Sequence, residues 1–364
     1  MKKTRTVAAI VAGITFGAAG ASAQVPPPPD GQLLSPSYTG KAYSPYAKRD
    51  FANDVYWGDT HLHTDMSMDA GSFGNRLGLD EAYRFARGEQ VDSTTAGPVK
   101  LSRPLDFLVV ADHSDNMGFF PDMLGGAEHI LKDPKGKEWY DMIKAGKGVD
   151  VALELIGLFS QGNFPPGLAY TPDSQPYKDA WARTVAAAEK YNEPGRFTAF
   201  IGYEWTSLVR GNNLHRVVMY RDGGDKGGKT VPFTATAPQG STTPRDLWAW
   251  MENYEKTVGG DVLAIAHNGN LSNGIMFPME VQSDGVKLDA KWAMLRDKWE
   301  PLYETTQIKG DGETHPQLSP NDEFADYETW DIGNLDVSEA KTDAMLPGEY
   351  AREALKRGMQ LEAK

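Results

Sequence analysis

The sequence predicts an α/β fold of the barrel kind, on three observations. From Val55 onward, short apolar runs alternate with helical stretches, the pattern of βα units. The length left beyond the N-terminal segments suits one large domain, a size that α/β barrels commonly occupy. Histidines and acids follow directly on several of the apolar runs, at the strand ends where barrel sites are assembled.

In chain order, Lys2, Lys3 and Arg5 precede an apolar run, Val7 to Ala21, and the small-residue stretch Ala21-Ser22-Ala23. That is the form of a secretory signal peptide over residues 1–23, cleaved after Ala23. Residues 24–53 are rich in Pro, Ser and Tyr and read as an extended leader into a domain spanning 54–364. Strands are expected at Val55–Gly58, Leu105–Val110, Phe197–Gly202, Leu214–Tyr220, Val262–Ala266 and Thr329–Ile332. Helices are expected at Leu79–Arg87, at Tyr177–Tyr191 before Pro194-Gly195, and at Pro244–Thr257. The third has Thr243 as cap, Pro244 at the first turn and Gly259-Gly260 as stop. Gly223–Gly228 and Phe277–Leu288 read as loops, and Glu349–Lys364 as a final helix.

Composition narrows the function. The formal charge of −13 becomes −16 once Lys2, Lys3 and Arg5 are removed, which argues against a nucleic-acid partner. It leaves room for an anionic small molecule, because bound cations dominate the field of their own site. The chain contains no cysteine, so neither a disulfide framework nor a lipidated N-terminal cysteine is expected. No stretch beyond the signal reads as a membrane anchor, and a periplasmic or secreted location follows.

Chemistry concentrates in four places. Asp59-Thr60-His61-Leu62-His63-Thr64 ends the first strand; residues two apart face one way, so His61 and His63 project together and Asp59 lies beside them as a supporting acid. Asp112, His113 and Asp115 follow the apolar run Leu105–Val110, with Asp112 the candidate for moving protons and Asp115 a supporting residue. Glu204 closes a third run beside Trp205, a candidate wall of the cleft, and His215 begins the next run. His215 also reads well as a buried structural histidine. His267 ends Val262–Ala266, whereas His129 stands outside the pattern and His315 sits in a loop. Imidazoles and carboxylates without thiolates suit Zn, Mn or Fe. Such ions lower the pKa of bound water from 15.7 towards about 7 and stabilise charge on a phosphoryl or carbonyl oxygen, with Glu204 as the expected bridging carboxylate.

The ordered series HLHT, ADHSD, GYEW, a later His and IAHNG resembles the PHP (polymerase and histidinol phosphatase) superfamily. YWGDTHLHT, FLVVADHSD, AIAHNGNLSNG and IKGDGETHP resemble, more narrowly, domain-of-unknown-function family 3604, over roughly Asp54 to the end. The resemblance implies a distorted (β/α)7 TIM-like barrel and two or three divalent ions. It implies a phosphoesterase whose hydroxide bridges the metals and whose substrate is a small phosphate ester. It carries the metal-ligand role to His61, His63, Asp69, His113, Glu204, His215 and His267; Glu304 resembles a strand-end acid that is not a usual ligand. The superfamily's closing Asp-x-His does not occur between Gly312 and Lys364, so a barrel incomplete at its C-terminus is expected. An amidohydrolase-like enzyme is the alternative, though it would want a strand-end lysine and Lys309 is poorly placed. A non-catalytic metal- or ligand-binding protein with an incomplete site is the third reading.

Overall fold

Seven strand segments in a computed structural model carry the architecture: β1 (Gly58–Leu62), β2 (Phe107–Val110), β3 (Thr198–Phe200), β4 (Gly202–Trp205), β5 (Arg216–Tyr220), β6 (Val262–His267) and β7 (Leu302–Glu304). The structure describes residues 54–362, so the expected signal peptide and all but the end of the leader fall outside it. These strands all lie in the compact unit Tyr56–Lys364. Among the described residues no helix is long and apolar enough to cross a membrane.

The fold is mixed α/β. β1, β2 and β3 form a parallel sheet in the order β1-β2-β3, and β7-β6-β5-β4 form a second. β3 and β4 are separated only by Ile201, and a parallel bridge between His113 and Glu204 carries the pairing of β2 past that break. The strands therefore follow one another in chain order around a curved surface. That surface is not a hydrogen-bonded ring: among the described residues no ladder joins β1 to β7.

The expected regular βα alternation fails at one place. β5 runs antiparallel to both β4 and β6. An antiparallel neighbour needs only a hairpin where a parallel one needs a crossover, and the short ladder Leu208–Val209 with Asn212–Asn213 supplies it. Pairing in β1 begins at Gly58, against Phe107, so Val55, Tyr56 and Trp57 are exposed rather than in a strand. A Cβ on Gly58 would lie 2.4 Å from the Phe107 carbonyl oxygen, which is why glycine opens the strand. Thr329–Ile332 forms no strand; the last strand of the two main sheets is Leu302–Glu304, paired in parallel with β6, and a two-residue ladder of Thr306–Gln307 with Gly310–Asp311 follows it. Gly223–Gly228 contains a short helix, Gly224–Gly227.

Helices Leu79–Ala86, Gln175–Tyr191, Pro244–Val258 and Ala290–Trp299 cover the strands, and Ala351–Glu362 lies at the far end of the described chain. Thr243 caps the third without a side-chain hydrogen bond, while Gly259 stops it at φ 71°. The core lies between helices and strands and is strongly aromatic, with Tyr83, Trp139, Trp181, Tyr203, Tyr220, Trp248 and Tyr254 all buried. Trp205 joins that core rather than lining a cleft. Beneath the β5–β7 end, buried Glu300 accepts hydrogen bonds from Arg216 Nε and Trp248 Nε1, both at 2.9 Å. A buried charge held this way is neutralised where it lies, which fixes the ends of β5 and β7 relative to the helix between them.

Candidate metal centre

The strand ends bring five histidines to one carboxylate. Glu204 Oε1 lies 2.6 Å from His267 Nε2, 2.9 Å from His215 Nδ1 and 3.6 Å from His61 Nε2. Its Oε2 lies 2.8 Å from His113 Nδ1 and 3.1 Å from His63 Nε2. Glu204 thus separates His61, His215 and His267 on one oxygen from His63 and His113 on the other. The rings touch in sequence, with centroids 5.0 Å apart for His61–His63, 4.8 Å for His63–His113 and 4.2 Å for His61–His267.

Local structure explains each placement. His61 and His63 alternate on one face of the end of β1, as the period of two demands. His215 stands at the start of its strand, yet joins the others because β5 is antiparallel and begins where its neighbours end. Asp69, on the short helix Met68–Ser72, reaches His63 Nδ1 at 2.9 Å and His113 Nε2 at 3.3 Å. The Ser67 hydroxyl donates to Asp69 at 2.7 Å and accepts from the His113 backbone N–H at 3.2 Å, tying that helix to the rim.

Three acids from the sequence reading hold backbone rather than enter the cluster. Both oxygens of fully buried Asp112 are occupied by Thr64, through its N–H at 2.5 Å and its hydroxyl at 2.7 Å. Asp112 thus pins the turn that follows His63. Asp115 accepts from the N–H groups of Ala235 and Thr236, both at 3.0 Å. Asp59 accepts from the His61 N–H at 2.7 Å and so holds the backbone, not the ring. His129 pairs with Tyr170 at 3.0 Å and His315 with Asp331 at 3.0 Å, both outside the cluster.

Sequence reasoning singles out neither Ser67 nor Thr206, whose hydroxyl lies 2.9 Å from His113 Nδ1, and it gives Glu304 no ligand role. Glu304 Oε2 stands 2.7 Å from His61 Nδ1. The available signal is its place at the end of a short strand-like run, Leu302-Tyr303-Glu304.

Charge in the centre is self-compensating. Burial opposes a proton on His61, His63 and His113, but the carboxylates outweigh it. Glu204 and Glu304 lift His61 to about 9, Asp69 and Glu204 lift His63 to about 9, and Glu204 and Asp69 lift His113 to about 10. Burial would raise Glu204 and Asp69, yet the surrounding imidazoles, His113 foremost for the first and His63 for the second, hold both well below the usual range. Burial dominates at His215 and His267, lowering them to about 3 and about 4. Burial also raises Asp112 to about 6.

Several of these atoms are buried without a hydrogen-bond partner: His63 Nε2, His215 Nε2, His267 Nδ1 and Glu204 Oε2. Unpaired buried polar atoms are costly, and a cation would relieve those that face it. Three groups built on Glu204 and Asp69 have donor atoms within 4.8 Å of one another: His61, His63 and Glu204; His63, Asp69 and His113; and His113, Glu204 and His215. The residues present therefore fit a divalent ion with nitrogen and oxygen ligands.

A family model described as "Protein of unknown function (DUF3604)" matches residues 50–364. The chain belongs to the DUF3604 family. The match takes in every residue of the cluster, so the centre is part of the DUF3604 region itself and not of the segment before it. No curated protein and no solved structure matches this DUF3604 chain.

Proposed function

We propose that this protein is a metal-dependent hydrolase acting on phosphate esters, with a PHP-type site. The observation that carries the reading is the single carboxylate of Glu204 set within 3.6 Å of ring nitrogens from five histidines. Divalent cations held there would supply an acidified water and neutralise charge on phosphoryl oxygens. Glu204 and Asp69 hold His63 and His113 by their two ring nitrogens, Asp112 keeps the turn after His63 in register, and Asp115 anchors the Ala235–Thr236 segment. Solvent reaches the centre past Asp69 and Glu304, whose side chains are 27% and 19% exposed, whereas Glu204 and His267 are closed off at 2% and 1%. A small substrate would enter by that side.

Strands that follow in chain order around one rim, with a ligand at nearly every end, support a barrel of PHP type. The N-terminal pattern and the acidic charge support export and a small-molecule substrate rather than nucleic acid. The amide- or ester-hydrolase alternative would want a strand-end lysine, whereas the ion pairs of Asp69, Glu204 and Glu304 are with histidines. The test is metal analysis of the purified protein together with a screen of phosphomono-, di- and triesters against amides and lactones. The expected result is bound divalent metal and phosphoester cleavage that a chelator abolishes and added Mn²⁺ restores. Cleavage confined to amides or lactones, indifference to the chelator, or bound metal without any hydrolysis would overturn it.

A further inference from the structure

The geometry points to Glu304 as a metal-holding carboxylate, the counterpart of Asp69 in a two-cation centre divided by Glu204. The inference rests on the metal-dependent reading above. The two oxygens of Glu204 face different sets of rings, and on each side a second carboxylate stands behind them. Behind the Oε2 set, Asp69 lies 2.9 Å from His63 and 3.3 Å from His113. Behind the Oε1 set, Glu304 lies 2.7 Å from His61, and His61, His267 and Glu304 have donor atoms within 4.8 Å of one another. Glu304 is the register partner of His267 on the adjacent parallel strand, so the two side chains leave the same face of the sheet.

A second observation points to an ion here. His267 Nδ1 is buried and has no hydrogen-bond partner, although the other nitrogen of the ring meets Glu204. A neutral imidazole in that state offers a lone pair to an electrophile. Charge argues the same way. Two divalent cations facing Glu204 and Asp69 alone would leave a large uncompensated positive charge among buried neutral rings; a third carboxylate reduces it while leaving the centre attractive to an anion. The position also explains how the first and last strands are held. β1 and β7 share no backbone ladder, and a cation bound by His61, His267 and Glu304 would tie β1, β6 and β7 together where hydrogen bonds do not.

The competing role for Glu304 is orientation of His61 by hydrogen bonding alone, and Glu304→Gln separates the two. Glutamine still accepts from the ring N–H but is a poor ligand. Wild type, Glu304→Gln and Asp69→Asn are loaded with Mn²⁺, freed of excess, and measured for metal content and by electron paramagnetic resonance. Wild type should hold two equivalents with a spin-coupled spectrum; each variant should hold about one, with an uncoupled spectrum. Glu304→Gln retaining two coupled ions would overturn the inference while leaving the hydrolase reading intact, and metal-free wild type would overturn both. Circular dichroism checks folding; if Glu304→Gln fails to fold, Glu304→Asp serves, since a shortened ligand should weaken one of the two equivalents selectively and a mere orienting group should leave both alike.

Discussion

Which histidines matter is decided by what each nitrogen meets. His61 and His113 each face Glu204 with one ring nitrogen and a second carboxylate with the other, Glu304 for His61 and Asp69 for His113. His129 is an exposed residue paired with a tyrosine. His61→Ala and His113→Ala should each cost at least one equivalent of bound metal, while His129→Ala keeps the wild-type content; metal analysis after identical loading checks this. Equal losses in all three would mean general unfolding and would sink the ligand assignment. The clustered histidines were legible in the sequence because each stands at the edge of an apolar run, whereas Asp69 has no such run beside it and was marked only by the resemblance. Glu304 was less so, because its run is three residues long and its partner His61 lies 243 residues away. The hold of Asp112 on Thr64 was not legible, because a buried acid at a strand end looks the same in sequence whether it faces an ion or a backbone N–H.

Between elements, the connection that counts is the one from β2 to the turn after β1. Asp112 accepts two hydrogen bonds from Thr64, and His63 is the residue before. Asp112→Ala would leave a buried N–H and a buried hydroxyl proton of Thr64 without an acceptor, at about 1–3 kcal/mol each. Urea unfolding of the metal-free protein should show that loss, with a weaker Mn²⁺ affinity accompanying it because His63 is no longer held. Unchanged stability would show that Thr64 finds other partners. The helices Gln175–Tyr191 and Pro244–Val258 were readable from their stop signals and periodicity. The antiparallel β5 was not: Leu214–Tyr220 reads the same in either direction, and only the neighbouring ladders fix its sense. The same ambiguity hid the open edge between β1 and β7, which is a property of pairing and not of any one segment.

At the scale of the whole molecule, protons and metal ions compete for one centre, and the sign of the competition can be worked out. His61, His63 and His113 have folded-state pKa values of about 9, 9 and 10, above the ordinary 6.5, so the stability they give the metal-free fold is complete below about pH 6.5 and is lost as pH rises through 9 to 10. His215 and His267 are depressed to about 3 and 4, so their contribution is present above pH 6.5 and is lost as pH falls towards those values. For these five groups the metal-free protein is therefore most stable near pH 6.5. The metal-loaded protein must behave differently, because every ligand has to be deprotonated and affinity rises with pH. The difference in Tm between Mn²⁺-loaded and chelator-treated protein should accordingly widen from pH 6 to pH 9. Loading at pH 7 should release protons, since His61, His63 and His113 all carry one before the ion arrives. Calorimetry in two buffers of different ionisation enthalpy counts them, and a proton count of zero with a Tm difference independent of pH would show that the ion binds somewhere other than among these histidines.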